Sequence, residues 1–250
     1  MSSLPSLELA GCIATITLRD VAVANRLGPP EVAALREHIV TVNACEETLV
    51  LRLRAQGKYF CSGYDINQLS HLDRLTEFAA MVDALEDSRP ITIAALNGGA
   101  YGGGADLAIA CDFRIGTTRA EMSVPAARLG LHFYGGGLRR FVSRLGPDCA
   151  KHVLLVAEKF NAEALYACGF LTHLVAEDEI DAALERLTAT LAGTAPLALL
   201  GMKKHMNRIA RGDVDPQELD RDVAQALASS DLREGTSAWI AKRTARFIGR

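Results

Sequence analysis

Two glycine-rich turns, each placed directly after a short apolar run, constrain this chain more than any other feature. The first is Phe60-Cys61-Ser62-Gly63-Tyr64-Asp65-Ile66, following Leu49 to Leu53. The second is Asn97-Gly98-Gly99-Ala100-Tyr101-Gly102-Gly103-Gly104-Ala105-Asp106-Leu107, following Ile91 to Leu96. A strand, a glycine turn and a helix start leave backbone N–H groups with no partner in the chain. Two such turns, after two successive core strands, can aim a pair of amides at one point. A carbonyl oxygen that gains negative charge during a reaction needs such a pair.

The rest of the chain supports an α/β fold. Leu7 to Leu18 alternates and is rich in Ile and Thr, predicting one or two strands. Pro29-Pro30 opens a helix through Glu31 to Val42, with Val32, Leu35, Ile39 and Val42 on one stripe. A strand at Leu49 to Leu53, a helix at Leu75 to Glu86 and a strand at Ile91 to Leu96 follow, with Arg89-Pro90 between the last two. After the second turn come a short apolar helix and a strand at Asp112 to Thr117. Repeated strand–helix units of this kind predict a mainly parallel, buried sheet.

The composition changes near Gly146-Pro147, after which the chain reads almost entirely as helix, with apolar stripes at Val153, Leu154 and Val156 and at Ile180, Leu184 and Leu187. Three helical patterns end it: Ala195 to Ile209, Pro216 to Leu227 and Asp231 to Phe247. Their apolar surface predicts an oligomer. The expected division is a core over 1–193 and a C-terminal helical oligomerisation region over 194–250.

Lys and Arg number 27 against 30 Asp and Glu, a formal net charge of -3, which lacks the basic excess of a nucleic-acid binder. No apolar run approaches a membrane span, and the amino end has neither a basic segment nor a long apolar stretch. A soluble, cytoplasmic protein is expected. The six cysteines form no C-x-x-C pair, and Cys12, Cys45, Cys111 and Cys149 sit among apolar or small residues, as reduced core thiols do. The histidines at 38, 71, 152, 173 and 205 lack metal-ligand spacing, and neither a phosphate loop nor G-x-G-x-x-G occurs, so no metal or nicotinamide cofactor is implied. Cys61 and Ser62 flank the first turn, but no G-x-S-x-G elbow surrounds them.

Several motifs in order carry a family likeness. They are Asn25 with Leu27, Phe60-x-x-Gly63-x-Asp65-Ile66, Asn97-Gly98-x-x-x-Gly102-Gly103-Gly104-x-Asp106-Leu107, Cys111-Asp112, Pro125, Leu129-Gly130, and Glu234-Gly235-x-x-Ala238-Trp239-x-x-Lys242-Arg243. Through them the chain resembles the crotonase superfamily of enoyl-CoA hydratases and isomerases over nearly its whole length. The resemblance implies a crotonase-like ββα spiral core and acyl-CoA thioester chemistry of the kind used in fatty acid metabolism, with no cofactor beyond the coenzyme A moiety of the substrate. It also implies an oxyanion hole from the N–H groups of Tyr64 and Gly103, coenzyme A contacts from Asp65, Ile66 and Asn67, phosphate contacts from Lys242 with Trp239 beside it, often from a neighbouring subunit, and a homo-oligomer, trimer or hexamer.

The chain departs from the two-glutamate pattern that hydration uses, one group activating water and one managing the α-carbon proton. The first glutamate position is Asp106 and the second, just after Pro125, is Ala126, whose methyl group moves no proton. Asp106 reads either as the remaining acid/base or as a carboxylate stabilising the first turn of a helix. Tyr134 and His132 are further candidates, the tyrosine lying near where some relatives keep a catalytic Asp or Tyr. An enolate with one proton carrier suits double-bond isomerisation. Decarboxylation of a malonyl-type thioester and an idle acyl-CoA-binding homologue stay open. The expected pocket walls are Leu69 to Met81 and Leu131 to Tyr134.

Overall fold

The computed structural model describes residues 3–68 and 72–250; residues 69–71 of the expected pocket wall lie outside the described residues. The alternating amino-terminal segment forms an antiparallel hairpin, β1 (Ser6–Ala10) and β2 (Ile13–Leu18), with Ala10 opposite Ile13. Proline at its first positions starts α1 (Pro29–Ala44), where a missing N–H costs no helix bond, and the helix buries the expected stripe of Val32, Leu35, Ile39 and Val42. Next come β3 (Val50–Ala55), α2 (Leu72–Glu86), β4 (Ile91–Leu96), β5 (Ala100–Tyr101), α3 (Gly103–Ala110), β6 (Phe113–Thr117) and β7 (Met122–Ser123). They are followed by α4 (Gly135–Lys151), α5 (Ala162–Ala167), β8 (His173–Val175) and α6 (Ile180–Ala192). The main sheet runs β1-β2-β3-β4-β6-β8 and is parallel from β2 onward, while β5 and β7 form a small second sheet.

Side chains along β3 and β4 alternate between two cores, because successive residues of a strand point to opposite faces. Leu51, Leu53, Ala94 and Leu96 pack in the core that also holds Leu35, Met81 and Leu107 from α1, α2 and α3. Val50, Ile91, Ile93 and Ala95 pack in a second core with Ala183 and Leu184 of α6. Both faces of the sheet are therefore covered, which explains why its strands read as continuous apolar runs.

The chain beyond residue 146 differs from expectation in three ways. The stretch expected to be nearly all helix contains β8, which extends the sheet beside β6 and is only 3 residues long, too short to show a period. The helical stretch begins before Gly146-Pro147, at Gly135, and Gly146, non-helical at φ 77° and ψ 161°, divides α4 into two helical segments at a kink. Among the three terminal helices, α7 (Pro196–Arg211) and α8 (Pro216–Ala228) match, but the third pattern is helical only as α9 (Ser230–Ile240), not to Phe247. Past α9 the tail turns back, and the N–H groups of Ile248 and Gly249 each donate to the buried Asp231 carboxylate at 2.8 Å. α7 is fastened to the core by Lys203, a buried ammonium 2.7 Å from Asp112, whose carboxylate also accepts from Thr92. All six cysteines are free thiols; Cys111 is buried as expected, whereas Cys12, Cys45 and Cys149 are only half-buried.

Candidate active site

The two glycine turns leave the carboxyl ends of β3 and β4 and are stitched together. Phe60 N–H donates to Gly99 O at 3.0 Å, Tyr101 N–H to Cys61 O at 2.9 Å, and Gly102 N–H to Ser123 O at 2.9 Å. In the first turn the backbone of Leu27 holds both neighbours of Tyr64, donating to Gly63 O and accepting from Asp65 N–H, each at 2.8 Å. Tyr64 N–H is passed over. Gly103 is the first residue of α3, a position whose N–H has no intrahelical acceptor. Among the described residues neither amide donates to the chain.

The two nitrogens are close neighbours. A methyl group added to Gly103 would lie 3.2 Å from Tyr64 N, and one added to Gly63 would lie 3.4 Å from Gly103 N. Gly63 has φ +101°, and an added methyl there would also sit 2.6 Å from Tyr101 O, so both the backbone angle and the close approach demand glycine. The amino end of α3 adds its partial positive charge to the same spot.

Asp106 lies in the first turn of this helix, fully buried. Arg140 of α4, equally buried, donates from Nε to Asp106 Oδ1 at 2.9 Å and from Nη2 to Oδ2 at 3.1 Å. The same guanidinium reaches Asp83 at 2.6 Å, Glu86 at 3.3 Å and the Tyr134 hydroxyl at 2.8 Å. Tyr134 in turn donates its own O–H to Asp106 Oδ2. Burial first, then the Asp106 charge, push the Tyr134 hydroxyl far above its ordinary value. Burial works against the Arg140 charge, but Asp106 outweighs it and holds the guanidinium protonated.

Glu86 completes this cluster. Burial would raise its carboxyl, yet Arg140, Arg144 and Arg139 together hold it below the ordinary 4.5. A depressed folded-state value means that stability is present above the unfolded value and is lost as pH falls through the folded one. Glu86→Gln is therefore expected to lower the urea midpoint more at pH 7 than at a pH below the folded-state value, where both states bind the proton. An equal loss at both would contradict the assignment.

A cavity of about 330 Å³ opens beside the two amides, with Tyr64, Gly103, Ala126, Phe78, His132 and Tyr134 among its walls. Asp106 does not line it; Tyr134 stands between. No carboxylate side chain lines this cavity among the described residues. A larger groove of about 1090 Å³ between α7 and the end of α2 carries charges of both signs and neither free amide, so chemistry is placed in the smaller cavity. His132 is exposed, its Nδ1 held 2.7 Å from Phe133 O. Ile66 reaches the cavity wall, whereas Asp65 faces Asn67, accepting from its N–H at 3.1 Å and from its amide at 3.0 Å, and neither lines the cavity. Trp239, 86% exposed, and Lys242 also lie outside its walls.

Sequence reasoning passed over Arg140. A carboxylate inside the apolar run Leu107-Ala108-Ile109-Ala110 requires a buried cation, and Arg139-Arg140 in the next amphipathic helix supply the candidates. Phe78 falls in the expected pocket wall Leu69 to Met81, which lines the cavity through Leu75, Thr76, Phe78 and Ala79.

This arrangement can be set beside known proteins. The family model described as enoyl-CoA hydratase/isomerase matches residues 8–250. Crotonyl-CoA hydratase of Syntrophomonas wolfei is 28% identical over 256 residues, covering 98% of this chain and 97% of that protein. The peroxisomal Delta(3,5)-Delta(2,4)-dienoyl-CoA isomerase of Arabidopsis thaliana is 30% identical over 220 residues, 79% of each. Among solved structures, Pseudomonas aeruginosa DspI aligns with a TM-score of 0.89 at 30% identity over 99% of this chain and 97% of that one. An enoyl-CoA hydratase subunit from Geobacillus kaustophilus gives 0.89 at 28% identity over the full length of both. With its matched span, its fold and its paired glycine turns all in agreement, the chain belongs to the enoyl-CoA hydratase/isomerase family.

Proposed function

We propose that this enzyme binds the thioester carbonyl oxygen of an acyl-CoA between Tyr64 N–H and Gly103 N–H and stabilises the enolate formed there. Two unpartnered amides side by side at the cavity mouth carry this reading. Amides fixed by backbone bonds need no reorganisation when charge develops on the oxygen, so they favour the enolate over the ground state.

The reaction that best suits the walls is a shift of a double bond by proton transfer. Hydration needs a group that activates water, and the position that the family likeness gives to a second glutamate is the methyl of Ala126. Tyr134 offers one oxygen lone pair to the cavity, since its O–H is committed to Asp106 and Arg140 occupies the other lone pair. A proton leaving the substrate carbon passes to the Tyr134 oxygen as the tyrosine proton moves to Asp106 Oδ2. The C–H electron pair becomes the enolate, and the reverse transfer at a carbon further along the acyl group restores the thioester. His132, exposed at the rim, is a secondary proton carrier. The bidentate Arg140 clamp on Asp106 favours a second reading, in which Asp106 is structural and the enolate arises by loss of CO₂ from a malonyl-type thioester.

Asp65, Ile66 and Asn67 would border the pantetheine and adenine. Trp239 and Lys242 stand clear of their own chain's cavity and would meet the coenzyme A phosphates from a neighbouring copy. The exposed Trp239, Ile240, Leu227, Met206 and Ile209 on α7 to α9 support a homo-oligomer, trimer or hexamer. Incubation of acyl-CoA esters with the enzyme in D₂O, read by mass spectrometry, tests the enolate. Isomerisation predicts deuterium at the α or γ carbon of 3-enoyl or 2-enoyl thioesters, and decarboxylation predicts labelled product only from malonyl-type esters. Absence of exchange and of product across all three classes would refute the enolate.

A further inference from the structure

The cavity gathers aromatic rings out of proportion to the chain's supply. Of 8 Phe, 5 Tyr and 1 Trp, the residues Tyr64, Phe78, Tyr101, Phe133 and Tyr134 all line this one space. Four of these rings pack on one another. Phe78, 4% exposed, packs on Tyr64 at 5.2 Å between centroids and meets Tyr134 edge-on at 6.3 Å and 87°. Phe133 stacks on Tyr134 at 5.5 Å and 17°. A rigid aromatic wall loses little freedom when a ligand arrives, unlike a wall of Leu or Met.

Phe78 packs directly against Gly103. A methyl group on Gly103 would lie 2.8 Å from its Cζ and 3.3 Å from its Cε2, so the ring turns its edge toward the free amides. An aromatic edge carries partial positive charge and prefers the face of another π-system. The acyl atoms just beyond the thioester carbonyl therefore meet a positive ring edge, which suits a flat, electron-rich group and the delocalised enolate derived from it. Space allows this: about 330 Å³ is roughly twice the about 150 Å³ in which an apolar protein cavity holds benzene.

Building on the acyl-CoA reading above, we propose that the cavity selects thioesters whose acyl group is planar and conjugated, an aryl-substituted or polyunsaturated acyl, and that Phe78 is the specificity-determining residue. Phe78 reads flatness near the carbonyl, and Phe133, stacked on Tyr134, borders the same space.

The test compares three thioesters of equal acyl carbon count: phenylacetyl-CoA, cyclohexylacetyl-CoA and octanoyl-CoA, with dissociation constants from calorimetry on the intact enzyme. Simple burial of apolar area favours the two saturated groups, which carry more hydrogens. Ring recognition reverses that order. Phenylacetyl-CoA is expected to bind about three- to tenfold more tightly than cyclohexylacetyl-CoA, the scale of one aromatic pair. Phe78→Leu is expected to bring the ratio of the phenylacetyl to the cyclohexylacetyl ester near one. Equal or tighter binding of the cyclohexyl ester by the unaltered enzyme overturns the selectivity and leaves the thioester reading intact, and so does a ratio unchanged in Phe78→Leu. Failure of all three esters to bind overturns both. Phe78→Met, a second ringless replacement, loses the preference as well if the proposal holds, so collapse of Phe78→Leu would not leave the question open.

Discussion

Replacing Gly103 with proline is expected to lower kcat/KM about 10²–10³-fold, the usual loss when one donor of an oxyanion site is removed. Position 103 is the first residue of α3, where proline is tolerated because the N–H makes no helix bond. The substitution also adds a Cβ that meets Phe78, so its steric share must be separated from the lost donor. Gly103→Ala supplies that control, since it adds the same Cβ and keeps the N–H. The loss in the proline variant is expected to exceed the loss in the alanine variant by at least about tenfold. Equal losses would assign the effect to crowding and remove Gly103 N–H from the chemistry.

Replacing Tyr134 with phenylalanine is expected to lower kcat about 10²–10⁴-fold with KM little changed, as when a positioned proton carrier is removed. The ring stays in place against Phe78 and Phe133, so packing is preserved and the hydroxyl alone is lost. Asp106→Asn interrupts the same relay one step later. Because the two groups act as a unit, the double variant is expected to be no slower than the worse single one. The raised Tyr134 hydroxyl also fixes a pH expectation: no limb from its ionisation appears as pH rises through its ordinary value of 10.0. A Tyr134→Phe enzyme with unaltered turnover would move the proton chemistry elsewhere, and an Asp106→Asn enzyme that still releases CO₂ would favour decarboxylation.

Arg140 gives these effects their physical basis. A buried carboxylate without a partner costs several kcal/mol, and here the guanidinium meets both oxygens of Asp106. The same guanidinium occupies one side of the Tyr134 oxygen and fixes its orientation. Among the described residues, Tyr134 is the side chain that both bonds Asp106 and lines the cavity.

Much of this arrangement was legible in the sequence because it is written in short-range patterns. The runs Leu49 to Leu53 and Ile91 to Leu96 became β3 and β4, because strands covered on both faces are largely apolar, with Arg52 of β3 the exception that pairs with Glu185. The turns after them needed glycine for local reasons, at Gly63 by its positive φ, so they could be placed without any tertiary knowledge. The clamp of Arg140 on Asp106 is different, because it joins side chains 34 positions apart, and spacing along either helix does not encode it. Likewise β8 is a strand through its pairing with β6, not through its own three residues. The end of α9 depends on Asp231 capturing the returning tail, a contact that the helical period of Asp231 to Phe247 conceals.

The paired amides are tested most directly by a crystal structure of the enzyme with a non-reactive acyl-CoA analogue. The thioester oxygen is predicted to lie about 2.7–3.1 Å from both Tyr64 N and Gly103 N. An oxygen held by only one of them, or turned away toward His132 or Tyr101, would contradict the account.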